Sequence, residues 1–209
     1  MKKIIITQRI IDTLEYVEKR DALDVRWAAV FTKLNFLPII IPSNFDCNAY
    51  FSELELDGII LTGGNDISTV SNDENSLIRD ELEKNLLTLA VKNNVPIMGI
   101  CRGMQLMTEH FGGTIANKQG HVGGKHKILI DKGSIYHKEL MDMNEVNSFH
   151  NYAVTKVPQN FVASAKCEDG TIEAMENTQQ KILGIMWHPE RNAPLKEADL
   201  NLMKRFFND

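Results

Sequence analysis

Pro96-Ile97-Met98-Gly99-Ile100-Cys101-Arg102-Gly103-Met104-Gln105 decides how this chain is read. An apolar run ends at a cysteine, glycines stand two residues to either side of it, and a helical pattern continues to Phe111. Strand, sharp turn and helix in that order hold a thiol at the turn, the layout of a nucleophile elbow with Cys in place of Ser. The glycines fit because such a turn leaves no room for side chains. The helix N-terminus offers free N–H groups and a dipole that favour a thiolate. A cysteine standing alone in apolar company is more often a small buried hydrophobe, so the rest of the chain has to carry the assignment.

Short apolar runs alternate with helical patterns on the N-terminal side of the elbow, which predicts an α/β fold with a largely parallel sheet. Strands are expected at 3–6, 38–42, 58–61 and 96–100. Helices are expected over 21–34, with Leu23, Trp27, Val30, Phe31 and Leu34 on one face, and over 76–93, with Leu82, Leu86 and Leu89 inward and Asp80–Lys84 as an outward pair. The helix from Arg102 to Phe111 is stopped by Gly112-Gly113. Residues 126–186 hold short β runs and turns that suggest antiparallel strands, and a helix over about 196–207 closes the chain. Ligands of such sheets bind beyond the carboxyl ends of the strands, where Arg9, Gly63-Gly64 and Cys101 fall.

A length of 209 residues suits one domain, 1–209, with a sizeable core. The net charge of -5 argues against nucleic acid as a partner. Cys47, Cys101 and Cys167 are odd in number and widely spaced, which suggests neither a disulfide framework nor structural zinc. The apolar run after Lys2-Lys3 is interrupted by Thr7-Gln8-Arg9 and reads as a strand rather than a signal peptide. No stretch has the length of a membrane span. A cytoplasmic location is expected.

A thiol nucleophile needs a base, a group that orients the base, and donors for an oxyanion. The histidines available are His110, His121, His126, His137, His150 and His188. Of these, His188 lies in Gly184-Ile185-Met186-Trp187-His188-Pro189-Glu190, at the end of an apolar run, with Glu190 placed to accept from its ring and Pro189 stiffening the turn. Taken alone, His-Pro-Glu reads as a surface turn; beside the cysteine elbow it reads as a base and its orienter.

These two motifs together resemble the class I glutamine amidotransferase superfamily, and more narrowly its γ-glutamyl hydrolase (C26 peptidase) branch. Asp57-Gly58-Ile59-Ile60-Leu61-Thr62-Gly63-Gly64, Asn147-Ser148-Phe149-His150 and Asp169-Gly170-Thr171-Ile172-Glu173-Ala174 add to the resemblance, which spans nearly the whole chain. It implies a flavodoxin-like fold, with a mostly parallel central sheet flanked by helices and a small antiparallel extension. It also implies Cys101 as nucleophile, His188 as acid and base, Glu190 as orienter, and the backbone N–H groups of Gly64 and Arg102 as the oxyanion hole.

Gly63, Gln105, Asn147, Ser148, His150, Asn151 and Tyr152 would border the glutamyl pocket, although Gln105 could equally cap local backbone and His150 could be a core histidine. Arg9, Glu18 and Arg20 are further substrate candidates. The segment Tyr16–Asp21 reads either as a charged helix start or as a substrate-reading loop. His121 and His126 read as a flexible loop near the cleft; with no third ligand at a convincing spacing, neither metal nor cofactor is expected. Asp66 and Asp73 fall on a solvated loop or near a helix start.

The activity implied is hydrolysis of a γ-glutamyl amide through a γ-glutamyl thioester. Members of the branch act on γ-glutamyl polyamines and folyl-γ-glutamates. The Ile-, Lys- and Asn-rich composition and the Glu18–Asp21 segment also resemble hydrolases of γ-glutamyl-CDP-amidate in capsule phosphoramidate synthesis, for which Arg9, Arg20, Lys125 and His126 could contact the nucleotide. The alternative is a glutaminase subunit that hands ammonia to a separate synthetase; residues 191–209 are too few for a fused synthase domain. The expected partners are a small-molecule γ-glutamyl substrate and, under the alternative, that synthetase, with neither nucleic acid nor membrane. A homo-oligomer is left open.

Overall fold

The computed structural model of the chain describes residues 1–15 and 17–208. Strand β1 (Lys2–Ile6) is followed by a hairpin of β2 (Arg9–Asp12) and β3 (Lys19–Ala22), then α1 (Trp27–Leu34), β4 (Phe36–Ile40), α2 (Asn48–Glu53), β5 (Gly58–Leu61), α3 (Glu74–Asn93), β6 (Ile97–Ile100) and α4 (Arg102–His110). The second half runs β7 (Thr114–Asn117), β8 (Val122–Ile130), α5 (His137–Met141), β9 (Glu145–Phe149), β10 (Tyr152–Lys156), β11 (Phe161–Cys167), β12 (Ile172–Asn177), β13 (Ile182–Ile185), a 3-10 turn at Pro189–Arg191 and α6 (Glu197–Asn208).

The expected α/β architecture is present. Strands β4-β1-β5-β6-β13 pair in parallel, an order that reads 2-1-3-4-5 among themselves and is the flavodoxin-like winding. Beyond β13 the sheet turns antiparallel through β12, β11, β8 and β9, with β10 joining β12 to β7. Alternation along β1 explains the layers. Ile4 and Ile6 pack with Trp27, Phe31, Leu202 and Phe206 under α1 and α6, whereas Ile5 packs with Leu82, Leu86, Met104 and Met107 under α3 and α4. Strands β5, β6 and β13 are buried at every position, the mark of a parallel sheet covered on both faces.

One expectation fails at the N-terminus. The helix begins at Trp27, not at residue 21, and Lys19–Ala22 is a strand paired with Arg9–Asp12. The Asn65 side chain anchors this hairpin, accepting from the Ile10 N–H and donating to the Ile10 carbonyl, each at 3.0 Å. Those contacts span more than fifty residues and override the helical spacing that includes Leu23, while Asp24 accepts from the Arg26 N–H just ahead of α1. The charged-helix reading of Tyr16–Asp21 is thereby corrected over Lys19–Asp21; Tyr16 itself lies outside the described residues. Pairing with β1 also moves the next strand from 38–42 to Phe36–Ile40. Asp73 caps α3, its carboxylate accepting from the Ser76 N–H. No helix among the described residues is long and apolar enough to cross a membrane.

Candidate active site

Every parallel strand next to the switch between β1 and β5 ends in a candidate residue or just before one. Cys101 sits between β6 and α4 with φ 51° and ψ −102°, left-handed backbone that a non-glycine residue adopts only under constraint. The constraint comes from packing. The Cys101 N–H donates to the Ile185 carbonyl of β13 at 2.7 Å. A Cβ on Gly99 would lie 2.6 Å from the Gly103 backbone, and one on Gly103 would overlap the Leu61 carbonyl. The two glycines let helix and strands close on the turn, as the sequence implied.

His188 follows β13 with its ring fully buried. Its Nδ1 is 2.7 Å from Glu190 Oε1, and the Cys101 thiol acts on the same ring. Burial opposes charge on this ring, but Cys101 and Glu190 outweigh it and push the imidazole up to about 9. A Cβ on Gly63 would come within 2.5 Å of His188 Cε1, so the missing side chain at Gly63 leaves room for the Cε1 edge of the ring.

The Asn147 amide is committed to other groups of the chain. It accepts from the His188 N–H at 2.9 Å, donates to the His188 carbonyl at 2.8 Å, and donates to Asn192 Oδ1 at 3.1 Å. Asn192 and the Trp187 indole in turn donate to the buried Asp199 carboxylate. His188 is thus held by a chain of hydrogen bonds, invisible as spacing.

The Gly63–Gly64 turn depends on a residue that sequence reading missed. Arg79, wholly buried on α3, donates to the carbonyls of Thr62, Gly63 and Gly64. Because a trans peptide points its N–H opposite to its carbonyl, fixing the Gly63 carbonyl on Arg79 aims the Gly64 N–H the other way. Arg79 is balanced by Glu83 at 3.0 Å, and Arg102 bonds both Glu83 and Asp80. Asp80 is therefore not an outward helix residue; it is turned in to Arg102, with Lys84 3.8 Å away at the rim. Four buried charges of net zero tie α3 to α4, whose first N–H groups, Arg102 among them, have no intrahelical partner.

Gln105 donates to the Tyr152 carbonyl at 2.7 Å, and His150 Nδ1 meets the same carbonyl at 3.0 Å. Gln105 therefore does hold backbone, but across the site rather than locally. His150 is buried and kept neutral, down at about 4, chiefly by burial and then by His121. Ser148 donates to the His121 carbonyl, and Asn151 is exposed at the turn into β10. Arg9 opens β2 with its guanidinium over Gly64, where an added Cβ would lie 2.6 Å from Nε. Glu18 and Arg20 bond each other, exposed on the outer half of the hairpin, as does Lys125 with Glu145 on β8 and β9. His126 lies within β8, so the expected flexible loop at 121–126 is a paired strand from Val122 onward. Phe149, between the predicted Ser148 and His150, was missed: its ring is edge-on to His188 at 5.9 Å and carries the Arg191 guanidinium at 4.7 Å.

The Peptidase C26 family matches residues 7–190. The chain belongs to this family. Its relatives include a γ-glutamyl-CDP-amidate hydrolase of Campylobacter jejuni, 34% identical over 97% of this chain and 96% of that one. A glutamine-hydrolysing GMP synthase component of Methanocaldococcus jannaschii is 30% identical over 72% of this chain and 73% of its own. A solved structure from Thermoplasma acidophilum, assigned to the corresponding GMP synthase component, shares the fold with a TM-score of 0.74 at 20% identity, over 99% of this chain and 92% of that one. As a Peptidase C26 member the chain stands among hydrolases of amide bonds.

Proposed function

We propose that this chain hydrolyses γ-glutamyl-CDP-amidate to glutamate and cytidine diphosphoramidate through a Cys101–His188–Glu190 triad. The observation that carries this reading is the alignment, along nearly the full length of both chains, with the Campylobacter hydrolase. Cys101 Sγ attacks the γ-glutamyl carbonyl, its proton resting on His188. The Gly64 and Arg102 N–H groups receive the oxyanion. His188 passes the proton to the departing nitrogen, and the C–N bond breaks to leave a thioester. Water, deprotonated by His188, then adds to the thioester and releases glutamate and the free thiol. Glu190 holds the ring with Nδ1–H toward itself, so Nε2 serves the reaction.

A diphosphate-bearing leaving group is supported by two guanidiniums at the rim, Arg9 over Gly64 and Arg191 over Phe149. The reaction is placed in the cytoplasm, where a catalytic thiol stays reduced, as a step of capsule phosphoramidate synthesis, with no synthetase partner.

The test is glutamate release from glutamine, γ-glutamyl-putrescine, a folyl-diglutamate and γ-glutamyl-CDP-amidate, with Cys101→Ala as control. Cys101-dependent turnover that favours the nucleotide conjugate is expected. Turnover confined to another conjugate rejects the substrate, and activity on glutamine that rises with an added synthetase rejects the stand-alone hydrolase.

A further inference from the structure

The antiparallel half of the sheet encloses a set of polar atoms that the proposed reaction does not use. His121 precedes β8, His150 follows β9 and Glu173 stands on β12, with residue exposures of 3%, 4% and 0%. One nitrogen of each ring is already committed. His121 Nε2 is 3.1 Å from Asp169 Oδ2, and His150 Nδ1 is 3.0 Å from the Tyr152 carbonyl. A carboxylate and a carbonyl only accept, so both of these nitrogens carry the proton, and in a neutral imidazole the other nitrogen is then a bare lone pair.

Those lone pairs converge. His121 Nδ1 and His150 Nε2 each stand 3.8 Å from Glu173 Oε1, too far for a hydrogen bond. Neither nitrogen and neither Glu173 oxygen has a hydrogen-bond partner among the described residues. Acceptors facing acceptors in a buried space repel, and each one left unsatisfied costs about 1–3 kcal/mol. A cation removes the conflict at all three atoms at once.

We propose that His121, His150 and Glu173 bind a divalent cation of the zinc class. Two imidazoles and one carboxylate form a donor set that suits zinc and leaves one position open, whereas magnesium and calcium prefer oxygen alone. The three ligand atoms lie within 4.8 Å of one another. Tetrahedral bonds of about 2.0–2.2 Å require the widest pair to close to roughly 3.5 Å, a rotation of each ring. The outer shell that metal-bound histidines need is in place: Asp169 orients His121 and the Tyr152 carbonyl orients His150. His126, with its ring centroid 4.3 Å from that of His121 and its Nε2 unpartnered, adds a further bare nitrogen beside the set. Because the Tyr152 carbonyl also receives Gln105 of α4, the cation would brace the strands that back the elbow helix.

The test uses the whole chain carrying Cys101→Ala, which removes the competing thiol. The protein is stripped with a chelator and titrated with Zn²⁺ against a chromophoric competitor. One zinc per chain is expected. Glu173→Gln and His150→Gln should each weaken it at least about tenfold, and Asp169→Asn by roughly ten- to a hundredfold, the usual cost of losing an outer-shell partner. The Asp169 side chain is 39% exposed, so this last variant keeps the test decisive if a buried substitution fails to fold. Binding below about a tenth of an equivalent, or affinity unchanged in Asp169→Asn and in whichever buried variants fold, overturns the proposal.

Discussion

In the parallel half of the sheet, β1, β5, β6 and β13 each run out toward a residue of the site: Arg9, Gly63-Gly64, Cys101 and His188. In the antiparallel half, the notable polar groups, His121, His150 and Glu173, are buried at strand ends on that same edge, before β8, after β9 and near the start of β12. Parallel strands all finish on the same edge, so groups far apart in sequence meet there whatever the loop lengths. Antiparallel strands bring starts and ends to an edge by turns, so which of their side chains meet there depends on register and facing. The first arrangement gathers groups suited to a substrate; the second gathers donors suited to an ion.

The largest effect should come from the parallel edge. Cys101→Ala is expected to cut glutamate release by about 10⁴-fold or more with the melting temperature little changed. A residual rate within a hundredfold of the parent would break the contrast between a reactive parallel half and a quiet antiparallel half. Glu190→Gln should cost about 10²–10⁴ in kcat and lower the His188 titration, followed by NMR of the ring, from about 9 toward the ordinary histidine value.

The sign for stability follows from that raised value. The folded protein holds the His188 proton more tightly than the unfolded chain. The contribution is complete below the ordinary histidine range and is lost as pH rises through about 9. Denaturant unfolding across that window should show the loss in the parent and much less of it in Glu190→Gln.

Packing at the elbow comes next. Gly103→Ala should destabilise by about 1–3 kcal/mol in urea unfolding, since its Cβ meets backbone that cannot move aside. Arg9→Ala sharpens the substrate assignment: kcat/KM for γ-glutamyl-CDP-amidate relative to glutamine should fall about tenfold, the loss of one charge-assisted contact. An unchanged ratio would take the nucleotide away from Arg9. The smallest effect concerns the turn itself. Cys101→Gly should be more stable than Cys101→Ala by about 1 kcal/mol, because glycine accepts the positive φ without strain.

Much of the reactive edge is legible in the chain because each part is local. Gly99, Cys101 and Gly103 occupy one turn, and His188 and Glu190 lie two residues apart. What holds those parts is not local. Asn147 reads as a pocket residue yet clamps both sides of the His188 backbone from 41 positions away. Asp80 has a lysine four residues on, the usual sign of an exposed helix face, yet its carboxylate answers Arg102. Arg79 stands in a charged stretch of α3 and gives no hint that it orients the Gly63–Gly64 peptide.

The sequence by itself determined the alternation of strand and helix, the cysteine turn between a strand and a helix, and the family, because short-range sterics and hydrogen-bond reach restrict which residues such motifs tolerate. Only the tertiary structure decided that Lys19–Ala22 is a strand, that Arg79 orients the Gly63–Gly64 peptide, and that His121, His150 and Glu173 face one another. Those three outcomes depend on strand register and on contacts across dozens of residues, where many arrangements fit the same local pattern and the packing of the whole chain selects one.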